Sequence, residues 1–464
     1  MPTFEQKSVL PVSPEEAFAW HERRGALTRL VPPWERAEVV EPPTSLAVGT
    51  RVVLKMWRGP LPITWVARHT AYEQGRLFRD EQESGPFSSW VHEHRFLPHA
   101  EGCELVDHIE YELPLGAVAD AVAGSSVADD LRRTFEFRHK RTKRDLKRHR
   151  RFKQHGSKRF VIAGATGMVG EALVAFLETG GHEVVRLVRG APRRDGDSTW
   201  DPAIGRIDPA VLEGAHGVVN LAGENVAGGR WNSKRRRAIE ESRIQATALL
   251  ARTIAAATKK PEAFISASAI GFYGDGGECE LDETSPSGDG FLAEVCRAWE
   301  AETMPAQDAG VRTVHVRFGV ILSARGGALA KMLGPFRLGM GGPIGGGQQW
   351  MSAVDIDDAI GAIHHAAFDV ALVGPVNVVS PTPVRNGDFV HALGHAVHRP
   401  SFVPLPAFAV KAAMGEMGRE MLLFSQRVMP DKLEAAGFRF AHRDVASSFG
   451  EQLGTDLALG HSAG

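Results

Sequence analysis

Residues 158–190 read "KRFVIAGATGMVGEALVAFLETGGHEVVRLVRG", and the fold of most of the chain follows from them. RFVIA (159–163) is a short apolar run of the kind that forms a buried strand. GATGMVG places glycines at 164, 167 and 170. MVGEALVAFLETG then carries apolar residues at helical spacing and stops at Gly180 and Gly181. HEVVRLV (182–188) is a second strand. Strand, glycine turn, helix and strand together form the setting in which this glycine spacing has a physical meaning. Gly164 permits the tight turn, Gly167 lets backbone approach a pyrophosphate, and Gly170 lets the helix pack close to the sheet. The free N–H groups at the helix start favour a phosphate.

The end of the second strand selects the nucleotide. An acid there would bond a ribose 2′-hydroxyl, whereas a 2′-phosphate needs cations. Val188 is followed by Arg189, with Arg193 and Arg194 close behind and no acid between Glu183 and Asp195. This pattern selects NADP(H). Two further strands end in small residues: GVVNLAG (217–223), with Asn220, and AFISASAIGFYG (263–274), with Ser266 and Ser268 at its exit. Cofactor and substrate meet at such carboxyl ends in open parallel sheets.

The whole chain has 464 residues, too many for one ordinary domain. Its 43% hydrophobic and 24% charged residues are those of a protein with buried cores. Three cysteines (Cys103, Cys279, Cys296) form no CxxC pair, which suits a reducing compartment and excludes a cysteine-only zinc site; no metal ligand set is assigned. The first residues have no basic segment followed by an apolar one, and no apolar run approaches the roughly 20 residues that span a bilayer. A cytoplasmic protein without a membrane span is the expectation.

One break divides the chain. Residues 138–159, "RHKRTKRDLKRHRRFKQHGSKR", hold twelve Lys and Arg against the single acid Asp145, a charge of +11, which leaves −13 elsewhere in a total of −2. Upstream, Val127, Leu131 and Phe135 recur at a four-residue step that suits a helix lying on an apolar surface. The reading is one long helix, packed at its start and projecting into solvent at its basic end. A charge run attracts phosphates, but the acidic remainder makes an internal partner the better match, and nucleic acid is not expected.

Residues 1–155 read as strands around one early helix, SPEEAFAW, started by Ser13. FEQKSVL, GTRVVLKM, ITWVARHT, SWVHEHRFL and CELVDHIEYEL are the strands. An antiparallel sheet gripping a long C-terminal helix is the natural packing. This order, with fragments such as GPFSSWVHEHRF, resembles the polyketide-cyclase/START-like (SRPBCC) helix-grip fold, whose members often hold an apolar ligand. Trp57, Trp65, Trp90, Phe96 and Phe135 either line such a cavity or fill the core.

Residues from 158 to about 450 resemble the extended short-chain dehydrogenase/reductase superfamily, and more narrowly its epimerase-family branch. GATGMVG, VVNLAGENVAGGRWNSKRRRAIEESRIQAT, SASAIGFYG, GFLAEVCRAWE, PFRLGMGGPIGGGQQWMS, GPVNVVSPTPVRN and SQRVMPDKLEAAGFRF carry the resemblance. It implies a nucleotide at Gly164, Thr166, Gly167, Met168, Val169, Arg189 and Asn220. With the neighbours Gly170, Val188, Leu221, Ala222, Gly223 and Ser266, these form the expected cofactor set. The expected architecture is an α+β helix-grip domain over 1–155. An α/β Rossmann-type, doubly wound parallel sheet follows over 156–464, with a subdomain from about 375 and a small C-terminal helical element from about Val410. One departure stands out: the branch carries a Trp and a His where SAVDIDD has Ala353 and Asp355, although Asp357 and Asp358 remain.

The larger superfamily uses a tyrosine as acid or base, tuned by a lysine four residues later. The tyrosines here are Tyr72, Tyr111 and Tyr273, and four residues on stand Arg76, Leu115 and Gly277. Aligning on Glu300 puts Leu292 and Cys296 at the two sites. Ser268 stands where the superfamily's serine would be, and Tyr273 lies five residues on. These two are the candidate catalytic residues, with packing alone as the competing reading for Tyr273 and for Cys296. Glu294 is on the same helix, and Glu224 faces either the cleft or solvent. Three functions stay open: an NADP(H)-dependent oxidoreductase or epimerase acting on a small molecule, a non-catalytic or redox-sensing nucleotide module fused to an apolar-ligand domain, and a binder of nucleic acid or an anionic membrane. The first is the reading adopted, with a homo-oligomer allowed.

Overall fold

Alternating apolar and polar residues build the first part of the chain as one antiparallel sheet. The computed structural model describes residues 1–41, 43, 45–114 and 117–455. These form two units, one built from Met1–Ser157 with Ala175–His182 and the other from Lys158–Val174 and Glu183–Thr455. In the first unit the elements are β1 (Thr3–Leu10), α1 (Pro14–Glu22), α2 (Ala26–Leu30), β2 (Ala37–Glu41), β3 (Arg51–Arg58), β4 (Leu61–Glu73), β5 (Leu77–Ser84), β6 (Ser89–His99), β7 (Gly102–Glu112) and α3 (Ala117–Arg151). The strand order is β1-β7-β6-β5-β4-β3-β2. Ser13 caps α1, its hydroxyl accepting the N–H of Glu16 at 3.3 Å.

Helix α3 lies across the inner face of this sheet. Leu131 and Phe135 share a buried cluster with Trp90, Ile109 and Tyr111, and Leu146 joins Leu10, Phe18, Trp20, Phe78 and Phe96 in another. The basic end therefore does not project into solvent as its charge suggested. Its one acid, Asp145, is fully buried and takes a bidentate ion pair from Arg29 of α2 at 2.6 and 2.8 Å. Arg138 donates to the Leu30 carbonyl, Arg141 stacks on Phe137, and Lys153 reaches Glu16. Burial of these cations is offset by an acid, a carbonyl or an aromatic face.

Of the five aromatic residues, Trp90, Phe96 and Phe135 are core, and Trp65 packs edge-on against Trp90 at 5.0 Å. Trp57 is half-buried under the Arg36 guanidinium at 4.5 Å.

The second unit is a parallel sheet. Its opening elements are β8 (Arg159–Ala163), α4 (Met168–Thr179), β9 (Glu183–Val188), β10 (Asp197–Thr199), β11 (Gly217–Asn220), α5 (Ser233–Ala256), β12 (Ala263–Ala269) and α6 (Phe291–Ala301). The sheet runs β10-β9-β8-β11-β12 and continues into the strands Arg312–Phe318 and Gly374–Val378, with every pairing parallel. The order reverses between β8 and β11, which is the switch point of a doubly wound sheet, where the crevice for a ligand opens. Behind it, Val161, Val218, Leu250 and Phe264 form the core under α5. Further on, Leu322, Phe336, Phe389 and Phe449 bind the small C-terminal helices together. Among the described residues no helix is long and apolar enough to cross a membrane.

Candidate functional site: the switch-point crevice

The turn after β8 is shaped by its glycines in three different ways. Gly164 has φ +77°, and a Cβ there would lie 2.6 Å from the Leu221 carbonyl carbon. Leucine 221 in turn donates its N–H to the Ala163 carbonyl at 2.9 Å, so the two loops of the switch point touch through backbone. At Gly170 a Cβ would lie 2.2 Å from the Gly164 carbonyl oxygen, so only glycine allows α4 this close to the strand end. Gly167 is different: a Cβ there would meet only the Gly164 oxygen at 3.4 Å, and Gly167 and Thr166 are exposed. The internal ladder of α4 begins with the Glu171 N–H bonded to the Gly167 carbonyl at 2.8 Å. The amides of its first turn are therefore not used by the helix itself. Met168 and Val169 are half-buried at this opening.

At the end of β9, Val188 is buried and Arg189 exposed, and Arg189 makes no ion pair among the described residues. The nearest acid in sequence beyond Asp195 is Asp197, which is occupied. It accepts two bonds from Arg186 at 2.7 and 2.8 Å and the backbone N–H groups of Arg193 and Arg194. Burial opposes its charge, but those donors outweigh burial and hold its pKa at about 2. Among the described residues no carboxylate forms an ion pair with Arg189.

Asn220 ends β11 completely buried. Its amide donates to Thr247 at 2.8 Å and its oxygen accepts the Ala222 N–H at 3.2 Å, so its side chain shapes the Leu221–Gly223 turn. Ser266 stands in register with Asn220 on β12, 1% exposed, with a hydroxyl that has no hydrogen-bond partner.

The two candidate catalytic residues lie in a closed network. The Ser268 hydroxyl donates to Glu300 at 2.6 Å. Glu300 also takes two bonds from Arg317, both at 2.8 Å. Arg317 donates again to the Tyr273 oxygen at 3.0 Å, and the Tyr273 hydroxyl donates to Asn377 at 2.8 Å. Both Ser268 and Tyr273 are buried, and burial raises the Tyr273 pKa despite Arg317. Cys296 is buried against the Ala269 carbonyl, and burial pushes its thiol up to about 11. Leu292 packs beside Gly271, and its N–H is capped with that of Phe291 by Glu420. Glu224 pairs with Arg235 at 2.8 Å, and Glu294 is exposed on α6. Ser268, Tyr273 and Cys296 are all buried, and burial raises the pKa of Tyr273 and Cys296.

The SAVDIDD loop is internal. Ala353, Asp355, Asp357 and Asp358 are all buried. Asp355 caps the following helix and accepts from Gln452, while Asp358 accepts the backbone N–H groups of Ala441 and His442 at 2.9 and 2.8 Å. These acids bolt the C-terminal segment in place and are not offered to a substrate.

Two features lie beyond the sequence reading. The loop after Ser323 brings Gly326 onto Met168, where a Cβ would sit 3.1 Å from the sulfur, so this loop crosses the opening of α4. Its only sequence signal is the glycine pair in SARGG. The glycine-rich run 341–347 pairs with the segment carrying Val403 and Leu405, through Val403 N–H to Gly341 and Leu405 N–H to Pro343. Around it Leu338, Met340, Phe402 and Phe408 are exposed, an apolar rim on these loops. A separate groove of about 640 Å³ lies between α5 and α6, lined by Arg236, Arg237, Glu240 and Phe291 among others, and includes none of the glycine-turn residues.

The comparisons with known proteins match this anatomy. Residues 160–378 match the model of the NAD dependent epimerase/dehydratase family, residues 10–136 that of polyketide cyclase/dehydrase and lipid transport proteins, and residues 405–451 a domain of unknown function, DUF1731. An epimerase family protein of Mycobacterium bovis, Mb2239, is 42% identical over 62% of this chain and 95% of its own length. A crystal structure described as a nucleoside-diphosphate sugar epimerase from Corynebacterium glutamicum superposes with a TM-score of 0.81 at 34% identity, covering 98% of this chain and 92% of that one. The human epimerase family protein SDR39U1, crystallised with NADPH, gives 0.60 at 35% identity over 64% of this chain and 99% of that one. With a polyketide-cyclase-like helix-grip domain in front and a nucleotide-binding parallel sheet behind, the chain belongs to the epimerase family of the extended short-chain dehydrogenase/reductases.

Proposed function

We propose that the switch-point crevice seats NADP(H) and that the protein is an oxidoreductase or epimerase-like enzyme acting on a small molecule. The observation that carries this reading is the glycine turn, crowded at Gly164 and Gly170 and open at Gly167, with Arg189 unpaired at the end of β9. Gly164, Thr166, Met168, Val169 and Gly170 would hold the pyrophosphate through backbone N–H groups and the helix dipole, while Gly167, whose own N–H bonds the Gly164 carbonyl at 3.0 Å, would let it come close. Val188 and Arg189 would take the adenosine end and its 2′-phosphate, and Leu221, Ala222 and Gly223 would line the passage toward the nicotinamide. The unpartnered Ser266 hydroxyl beside Asn220 is a polar atom that fits a ligand or water at that row. When bound, the nucleotide supplies or accepts a hydride. The human relative with NADPH supports the phosphorylated form, and the exposed rim at Leu338, Met340, Phe402 and Phe408 favours a substrate with an apolar part.

Titration calorimetry tests the cofactor. Wild-type protein should prefer NADPH to NADH. Arg189→Ala should lose roughly 10–100-fold in NADPH affinity, from a charged hydrogen bond worth about 1.5–3 kcal/mol, and leave NADH unchanged. Equal affinity for the two nucleotides in wild type would remove the assignment.

A second reading is favoured by the closed Ser268–Glu300–Arg317–Tyr273 network. There the nucleotide is a structural or redox-sensing ligand, and the first unit captures an apolar molecule. Turnover of NADPH with a carbonyl or nucleotide-sugar panel supports the first reading. Tight NADPH binding without turnover, with a lipid or aromatic molecule co-purifying, supports the second.

A further inference from the structure

The inner face of the first sheet carries a polar knot that neither reading uses. Asp80 of β5, His92 and His94 of β6 and Asp107 of β7 are neighbours through strand register, Asp80 opposite His92 and His94 opposite Asp107. Both rings are buried, and they lie with centroids 3.9 Å apart. Each ring meets a carboxylate at both of its nitrogens. His92 places Nδ1 3.5 Å from Asp80 and Nε2 3.4 Å from Asp107. His94 places Nε2 3.9 Å from the same Asp80 oxygen, and its Nδ1 abuts Asp107. His139 of α3 adds Nε2 to the other Asp107 oxygen at 2.7 Å, and its Nδ1 meets the Ser8 hydroxyl, also at 2.7 Å.

A neutral imidazole has one donor nitrogen and one acceptor nitrogen. Four nitrogens facing two carboxylates therefore require two imidazolium cations less than 4 Å apart in a buried site, which like-charge repulsion and desolvation oppose. With a single extra proton shared out between the rings, one of the four nitrogens is left with a lone pair aimed at a carboxylate.

We propose that Asp80, His92 and His94 bind a first-row divalent metal ion, Zn²⁺ by the chemistry of its ligands. The ion takes the His92 Nδ1 and His94 Nε2 lone pairs and an Asp80 oxygen. Both remaining ring N–H groups then donate to Asp107, the carboxylate–histidine–metal arrangement that fixes tautomer and ring orientation. The three ligand atoms already lie within 4.8 Å of one another. A tetrahedral ion with bonds of about 2.0–2.2 Å separates its ligands by roughly 3.3–3.5 Å, so closure needs small rotations only. Phe78 stacks on His94 at 4.0 Å and Phe135 meets His92 edge-on at 5.1 Å, holding both rings. A second, independent sign is His69 of β4, in register with Asp80, 4% exposed, with an Nδ1 that has no hydrogen-bond partner. It is the neighbour of Asp80 across the β4–β5 pairing. Arg138 is the other cation felt by Asp80 and Asp107, and its Nε is engaged by the Leu30 carbonyl.

The test uses tag-free, full-length protein stripped with a chelator and titrated with Co²⁺ and with Zn²⁺. The expected result is about one equivalent per chain, visible bands of four- or five-coordinate Co²⁺, and displacement by Zn²⁺. Asp80→Asn and His94→Gln should each weaken binding at least tenfold, and Asp107→Asn about tenfold through the rings. No uptake by wild type, or uptake unchanged in Asp80→Asn, overturns the proposal. If His94→Gln fails to fold, X-ray absorption on the wild-type Zn²⁺ form decides the matter, because a first shell without two imidazoles also overturns it.

Discussion

The turn after β8 and the end of β12 are both loops at the carboxyl edge of one sheet, yet they use polar groups in opposite ways. After β8 the groups offered are backbone amides, Thr166 and Gly167 are exposed, and glycines set how close a partner can come. At the end of β12 the groups are side chains, and all but the Ser266 hydroxyl have found another: Ser268 with Glu300, Glu300 with Arg317, Arg317 with Tyr273, Tyr273 with Asn377. A backbone site cannot close on itself, because the amides of a helix start have no intrahelical acceptor. A side-chain site can, and a closed one stabilises the fold while giving up its proton chemistry. The proposed nucleotide seat and the side-chain network thus draw on separate groups of one sheet.

The largest effect that would sharpen this contrast comes from Glu300→Ala. It leaves Arg317, 3% exposed, without its bidentate partner, and breaking a buried pair by removing one member costs about 3–5 kcal/mol. Urea unfolding followed in the second unit should move its midpoint down accordingly, while NADPH affinity of the folded protein at low temperature stays within twofold. A large loss of nucleotide affinity would mean that the network belongs to the binding site after all.

Gly164→Ala comes next and acts on both quantities. A φ of +77° costs an L-residue about 1–2 kcal/mol, and the contact with Leu221 adds overpacking of roughly 1–3 kcal/mol. A stability loss of about 2–4 kcal/mol by thermal or urea unfolding should accompany loss of NADPH binding, because the two loops of the switch point are forced apart. Wild-type stability would show that the turn is not as tight as drawn.

The same contrast explains what the sequence made legible. Strand β8, helix α4 and strand β9 are readable because their apolar spacing, glycines and stop residues agree within 33 residues. Strand β5, LFRDEQES, is not among the strands read from the sequence, since charged residues hide its alternation; it pairs with β4 and β6 on both sides. The basic end of α3 reads as solvated because charge runs usually are; its one acid is taken by Arg29, and Arg138 and Lys153 find the Leu30 carbonyl and Glu16 far off in sequence. Tyr273 meets partners 44 and 104 residues away. A motif shows that a tyrosine follows a strand; it does not show which distant side chains will have claimed its hydroxyl. Asp355 and Asp358 of SAVDIDD are likewise claimed from afar, accepting from residues 441–452.

Gly167→Ala gives the smallest change in stability and the clearest separation of the two roles. Gly167 lies outside the positive-φ glycines, and its added methyl would meet a single oxygen at ordinary contact distance. Replacing glycine by alanine where the backbone permits stabilises a fold by about 0.4–1 kcal/mol, through the unfolded chain. The melting temperature should therefore rise slightly or stay constant. The methyl nevertheless stands on the exposed lip where a pyrophosphate must touch backbone, so NADPH affinity should fall by roughly tenfold or more, about 1.4 kcal/mol per tenfold. Opposite signs from one methyl group are what an open backbone site requires. Unchanged affinity would place the phosphates elsewhere on the crevice and return the glycine spacing to a purely structural role.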